Sequence, residues 1–352
     1  MTFKLHSLLP KLRFPIFQAP MAGVSTPALA AAVSQAGGLG ALGLGAASPE
    51  QAFKDIQAAQ DLGAELLNVN LFCHASARRN PEQEQSWIDR LKPAFARFNA
   101  EPPARLTEIY PTFSAQPAML EMLLETAPAV ASFHFGLPPA EAIERLHARG
   151  IVTAATATNI YEARQIAAAG IKLIIAQGIE AGGHRGCFDP QADDSQLTTL
   201  VLVKEITQKL SLPVIAAGGI MDGADIAQAL KAGASAAQLG TAFITCSESS
   251  AGPRWRELLL HAQGVDTALT AAISGRPARG IINRLYDYQE GIPDYPLTYS
   301  IGKALHQAAA AHNCHDYAAY WAGSEAHRSR AMTASNLMAV LATELEQATS
   351  SQ

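Results

Sequence analysis

Short apolar runs recur along the chain at residues 15–21, 39–43, 66–72, 130–136, 151–157, 172–176, 212–220 and 236–243. They lack the alternation of half-buried strands and read as parallel strands covered on both faces. Helical patterns fall between them. Thr26-Pro27 and Ser48-Pro49 each offer a capping hydroxyl followed by a first-turn proline. Further helices are expected over residues 87–98, 115–124, 139–148, 160–168, 197–210 and 223–231, two of them ending in Ala-Gly stops at Ala169-Gly170 and Ala232-Gly233. Eight buried strands, most followed by a helix, predict an α/β fold of the (β/α)8 or TIM-barrel kind. An open doubly wound sheet is the competing architecture. Its GxGxxG signature occurs at Gly38-Leu-Gly-Ala-Leu-Gly43, but on a strand and not in the turn after the first strand.

The alternation stops after residue 243. The expected division is a barrel over residues 1–246, an appended, mainly helical lid or substrate region over 247–327, and a C-terminal helix over 328–352 that packs back on the barrel. The last five residues are expected to fray.

The 352 residues carry a net charge of −5 without a long run of either sign, so no basic stripe is available for nucleic acid. No apolar segment reaches membrane-spanning length and the first fifteen residues lack a signal-like apolar core, which points to the cytoplasm. Cys73, Cys187, Cys246 and Cys314 are far apart, with no metal-ligand spacing. They read as reduced, packed thiols, with Cys187 the one placed for a redox role.

Candidate chemistry centres on Gln177-Gly-Ile-Glu-Ala-Gly-Gly-His-Arg-Gly186, a glycine collar that follows the sixth strand and contains His184. Gly182 and Gly183 let backbone approach a flat ligand, and strand ends carry the chemistry of α/β barrels. Gly218-Gly219 after the seventh strand and Gln238-Leu239-Gly240-Thr241 at the eighth offer backbone donors and a hydroxyl for a phosphate. Asn70 and Gln177 are amides at strand ends, suited either to the ring of a cofactor or to loop backbone. Met21 and Ala22 would floor the site. FMN fits this set better than free NAD, which needs a second nucleotide site. His134, between two phenylalanines, reads as a pocket residue or as packed core. Should Pro296 open a helix, Tyr299 and Lys303 lie one turn apart beside Tyr295, either capping a pocket or facing solvent.

These motifs carry a resemblance. With Phe17-Gln-Ala-Pro-Met-Ala-Gly23, Asn68-Val-Asn70, Phe133-His-Phe-Gly136 and Ala216-Ala-Gly-Gly219, the collar makes the chain similar to the nitronate monooxygenases, formerly 2-nitropropane dioxygenases, of the bacterial class I type. The His-Arg-Gly ending is the most specific piece. The resemblance implies an FMN enzyme not reduced by NAD(P)H, with FMN contacts at Met21, Ala22, Asn70, Gln177, Gly182, Gly219, Gln238, Gly240 and Thr241. It makes His184 the active-site histidine, and Tyr110, His134, Tyr299 and Lys303, with Tyr295 adjacent, the pocket for a small anion. The implied reaction oxidises an alkyl nitronate, propionate 3-nitronate above all, with O2 to a carbonyl compound and nitrite through one-electron transfer and a flavin semiquinone. The partners are then the nitronate and O2, in a monomer or homodimer. Two alternatives stay open: an NAD(P)H-dependent FMN reductase of the enoyl-acyl-carrier-protein or quinone reductase type, and a non-enzymatic phosphate-ligand-binding barrel.

Overall fold

The computed structural model describes residues 3–261 and 264–350. The strands are β1 (Ile16–Gln18), β2 (Gly40–Gly43), β3 (Leu67–Phe72), β4 (Val130–His134), β5 (Val152–Ala157), β6 (Leu173–Gln177), β7 (Gly183–His184), β8 (Val214–Ala217), β9 (Ala236–Leu239), β10 (Thr267–Thr270) and β11 (Ala278–Ile281). The helices are α1 (Phe3–Leu8), α2 (Pro27–Gln35), α3 (Pro49–Asp61), α4 (Pro81–Ala96), α5 (Pro117–Thr126), α6 (Ala140–Ala148), α7 (Ile160–Ala168), α8 (Thr199–Lys209), α9 (Gly223–Lys231), α10 (Thr241–Ile244), α11 (Pro253–Leu259), α12 (Leu297–Ala310) and α13 (Ala334–Ser350).

Eight parallel strands run in the order β1-β9-β8-β6-β5-β4-β3-β2, and a parallel bridge between Phe17 and Leu39 joins the two ends. This is the (β/α)8 barrel that the apolar runs predict. The local reasons hold as well. Thr26 accepts the Leu29 N–H and Ser48 the Gln51 N–H, each with proline at the first helical turn. The strands bury both faces: Leu67, Val69 and Leu71 face one way, Asn68 and Asn70 the other, and all are under a tenth exposed. Leu5 and Leu9 of the N-terminal segment pack with Leu66, Val130, Leu173 and Ile215 near the strand starts, closing the lower end of the barrel and leaving the upper end for the site.

Three features depart from the sequence reading. The segment after residue 246, expected to be mainly helical, also holds an unforeseen antiparallel hairpin of β10 and β11, and β11 pairs with β7 inside the glycine collar, Ala278 opposite His184 and Arg279 opposite Gly183. A two-residue strand has no periodicity of its own and is created by its partner. Second, α4 starts at Pro81 under an Asn80 cap and packs on α12, so Trp87, Leu91 and Phe95 share a second core with Leu297, Ile301 and Leu305. Third, α13 runs from Ala334 through Ser350, shifted from the expected start at 328 and continuing through residues expected to fray; Ser351 and Gln352 lie outside the described residues. Its apolar face docks on α9 and α2 and joins the main core. Among the described residues no helix is long and apolar enough to cross a membrane, and no His, Cys, Asp and Glu group is arranged to hold a metal.

Candidate active site

A cavity of ≈ 510 Å³ opens where the upper strand ends meet the appended segment. Every cofactor, pocket and active-site candidate from the sequence lines it except Leu239. Strand alternation explains the exception: Gln238 turns to the barrel mouth, while Leu239 is fully buried in the main core and its carbonyl accepts the Ala19 N–H at 2.7 Å.

The collar is held rigidly. Arg185 is 1% exposed and grips Asp194 through two nitrogens at 2.8 and 2.9 Å. Its third nitrogen donates to the carbonyls of Gln177 and Gly178, both at 3.0 Å. The Gln177 amide is committed to the same loop: Nε2 donates to the His184 carbonyl at 3.0 Å and Oε1 accepts the Gly186 N–H at 2.8 Å. Gln177 therefore bonds to loop backbone while its side chain also lines the cavity. Asn70 differs. Its Nδ2 donates to Ser132, and its Oδ1 takes no hydrogen bond from the described residues.

The two histidines are neutral for the same reason. His134 Nε2 bonds to the His184 carbonyl at 3.2 Å, and a carbonyl only accepts, so Nε2 carries the proton. Nδ1 then accepts from the Thr156 hydroxyl at 3.0 Å. Both nitrogens are spent, and His134 acts as a prop for the collar. Burial pushes its pKa down to about 4, partly opposed by that carbonyl bond, with Arg276 and Arg185 lowering it further. The His184 ring is open toward the cavity but otherwise enclosed. Burial first, then His134 and Arg276, bring its pKa down to about 3. Its walls are aromatic: Phe135, Tyr295, Tyr299 and Trp321 lie with ring centroids 5.1–6.0 Å away.

Lys303 enters from α12. Its ammonium donates to the Tyr110 hydroxyl at 2.6 Å and lies 5.2 and 5.8 Å from the rings of Tyr110 and Tyr299. Among the described residues no carboxylate pairs with it. Burial pushes the Tyr299 hydroxyl up to about 12 and raises Tyr110 and Tyr295, so the tyrosines stay uncharged beside the lysine.

Opposite this cage lies a glycine cradle. Gly218 and Gly219 adopt φ of +125° and +69°, which side-chain-bearing residues rarely accept. A side chain begun at Gly240 would meet nothing closer than Ala19 at 3.4 Å, so that face is open backbone. The Thr241 hydroxyl accepts the Gly323 N–H at 3.0 Å and keeps its own proton to give. Gln238 Oε1 is buried with no protein partner.

Trp321, Ser274 and Arg276 shape the site but carry no sequence signal. They stand in irregular segments and reach His184 only through the fold. The Trp321 indole lies beside Tyr299 and lowers its hydroxyl pKa slightly against the larger effect of burial. Cys187 is partly buried and its thiol pKa is raised by burial, the opposite of a reactive thiolate.

The family model for nitronate monooxygenase matches residues 4–344. The chain belongs to the nitronate monooxygenase family. It is similar to a nitronate monooxygenase of Paraburkholderia phytofirmans, 50% identical over 97% of this chain and 95% of the relative. It is also similar to one of Pseudomonas aeruginosa, 49% identical over 94% of this chain and 96% of the relative. Among solved structures, nitroalkane oxidase from Streptomyces ansochromogenes superposes with a TM-score of 0.90 at 37% identity, covering 98% of this chain and 99% of that one. With its family, the chain is an oxidoreductase.

Proposed function

We propose that this enzyme is an FMN-dependent nitronate monooxygenase that converts alkyl nitronates, propionate 3-nitronate foremost, with O2 to a carbonyl compound and nitrite. The observation that carries the reading is Lys303: a cation inside a cavity of neutral tyrosines, with no carboxylate partner among the described residues, awaits an anion.

The chain's donor set fits FMN. Gly218, Gly219, Gly240 and Thr241 would receive the phosphate without a cation. Asn70 Oδ1 and the unpartnered amide of Gln238 would meet ring polar atoms, and Met21 and Ala22 would lie beneath the ring. Bound there, FMN would supply the redox chemistry, accepting electrons from the substrate singly. The protein supplies the rest. Lys303 and the Tyr110 hydroxyl hold the anion, and Tyr295 and Tyr299 stay protonated and so do not repel it. The aromatic wall excludes water, which strengthens each charge contact. His184, neutral in the free site, and the Lys303 ammonium both border Tyr299, 6.0 and 5.8 Å from its ring centroid. We place the FMN site in residues 1–246 and the substrate cage largely in 247–327, in a cytoplasmic monomer or homodimer.

Purified enzyme should consume oxygen and release nitrite from propionate 3-nitronate without nicotinamide. Bleaching of its flavin by NADPH with no nitronate turnover would select a reductase, and a colourless protein that takes up no FMN would select a simple phosphate-binding barrel. His184→Asn should retain FMN and lose most turnover; wild-type rates would remove the ring from the chemistry.

A further inference from the structure

The ring of His184 has one nitrogen engaged and one free, and the engaged one meets a serine that no motif marks. Ser274 is fully buried, and its Oγ lies 2.9 Å from His184 Nε2. Two backbone contacts orient that oxygen. It lies 3.1 Å from the Arg276 carbonyl, which can only accept, and 3.3 Å from the Arg276 N–H, which can only donate. A hydroxyl has one proton. With that proton on the Arg276 carbonyl, Oγ faces the imidazole as an acceptor, and Nε2 must carry the hydrogen.

We propose that Ser274 is the positioning residue of His184: it holds the ring as the Nε2–H tautomer, which makes Nδ1 the nitrogen that takes up a proton when an anion enters the cavity. The proposal rests on the nitronate reading above. Nδ1 receives no hydrogen bond from the described residues and is not among the atoms sealed from solvent. The backbone that carries the ring is fixed in place. The His184 carbonyl accepts from both Gln177 and His134, and residue 184 pairs with Ala278 on β11. His134 cannot substitute, since both of its nitrogens are bonded.

The surroundings explain why a proton arrives only with an anion. The groups facing His184 are His134 from β4, Arg276 from the loop before β11, and Tyr295 and Tyr299 from the start of α12. Arg276 acts against an imidazolium, and His134 and the tyrosines are neutral. The missing negative charge comes from the ligand: a bound nitronate favours the protonated ring, which then donates from Nδ1 to the nitronate oxygen. No bond other than N–H forms, and the proton comes from solvent.

The test is a long-range 1H–15N spectrum of FMN-loaded enzyme labelled at histidine nitrogens, with the 184 signal assigned by its loss in His184→Asn. The wild type should show Nε2–H with a bare Nδ1 and gain a second ring proton on saturation with succinate, an anion that carries a carboxylate in place of the nitronate group and gives the flavin no electrons. Ser274→Ala should show mixed tautomers and raise KM for propionate 3-nitronate about ten-fold, the scale of one buried hydrogen bond, with kcat changed less and the pH dependence of KM shifted. Ser274→Thr, which keeps the hydroxyl, should restore the tautomer. A wild-type ring protonated at Nδ1 overturns the proposal, as does a Ser274→Ala enzyme with unchanged tautomer and pH profile. The ligand-free wild-type spectrum decides the tautomer even if Ser274→Ala fails to fold. It requires no turnover, so it can fail or hold independently of the assigned reaction.

Discussion

Lys303 shows how one side chain changes meaning with its surroundings. On an exposed helix a lysine is a solvated charge worth little. Here Tyr110 and Tyr299 enclose its ammonium, and an anionic substrate is the partner proposed for it. A hydrogen bond to a charged group is worth about 1.5–3 kcal/mol. Lys303→Met should therefore raise KM for propionate 3-nitronate about ten-fold to a hundred-fold with a smaller change in kcat; an unchanged KM in oxygen-consumption assays would return the lysine to a solvated role. The histidines give a second expectation. Their folded-state pKa values, about 4 for His134 and about 3 for His184, lie below the ordinary 6.5. The unfolded chain then binds more protons, so their contribution is complete above 6.5 and is lost as pH falls toward 4 and 3. Thermal midpoints should drop over that window, and more gently in His134→Gln. An identical slope in the variant would show that His134 is not the group being titrated.

At the scale of elements, the collar works because it is braced from both sides. Arg185 ties it to Asp194 and to the end of β6, and β11 adds a strand to it. The proposed phosphate cradle is a separate device made from what is absent, a side chain at Gly218, Gly219 or Gly240. Gly240 is the informative position, since its backbone is not in the left-handed region and a Cβ there makes only ordinary contacts. Gly240→Leu should therefore fold yet purify without flavin absorbance. Retention of the full yellow spectrum would place the phosphate elsewhere.

For the whole molecule, stability and function are divided between two cores. The barrel core is completed by α13, whose Leu337, Met338, Leu341 and Leu345 are under a tenth exposed. Burying such side chains contributes about 1.5–3 kcal/mol each, so the helix contributes roughly 6–12 kcal/mol, comparable with the net stability of a whole domain. A chain ending before Ala334 should not fold stably; a soluble truncation with the full-length melting temperature would show that α13 is dispensable. The second core, from α4 and α12, carries Lys303 and Tyr299 over the barrel mouth, so substitutions at Trp87 or Leu305 would be felt first at the proposed substrate cage.

The sequence by itself determined the barrel strands, the capped helices around them, the glycine cradle and the collar with its histidine. Each rests on contacts or backbone preferences within a few neighbours, such as Thr26 with Leu29 and Ser48 with Gln51. Only the tertiary structure decided that Gln177 serves the loop, that His134 is a prop, that Leu239 belongs to the core and that a hairpin holds the collar. It also brought Ser274 to His184 across 90 residues and Lys303 to Tyr110 across 193. Such pairs leave no mark on local pattern, because nothing in the sequence around one partner names the distant residue it will meet. Barrel closure and the docking of the appended segment create the contact, and with it the chemistry.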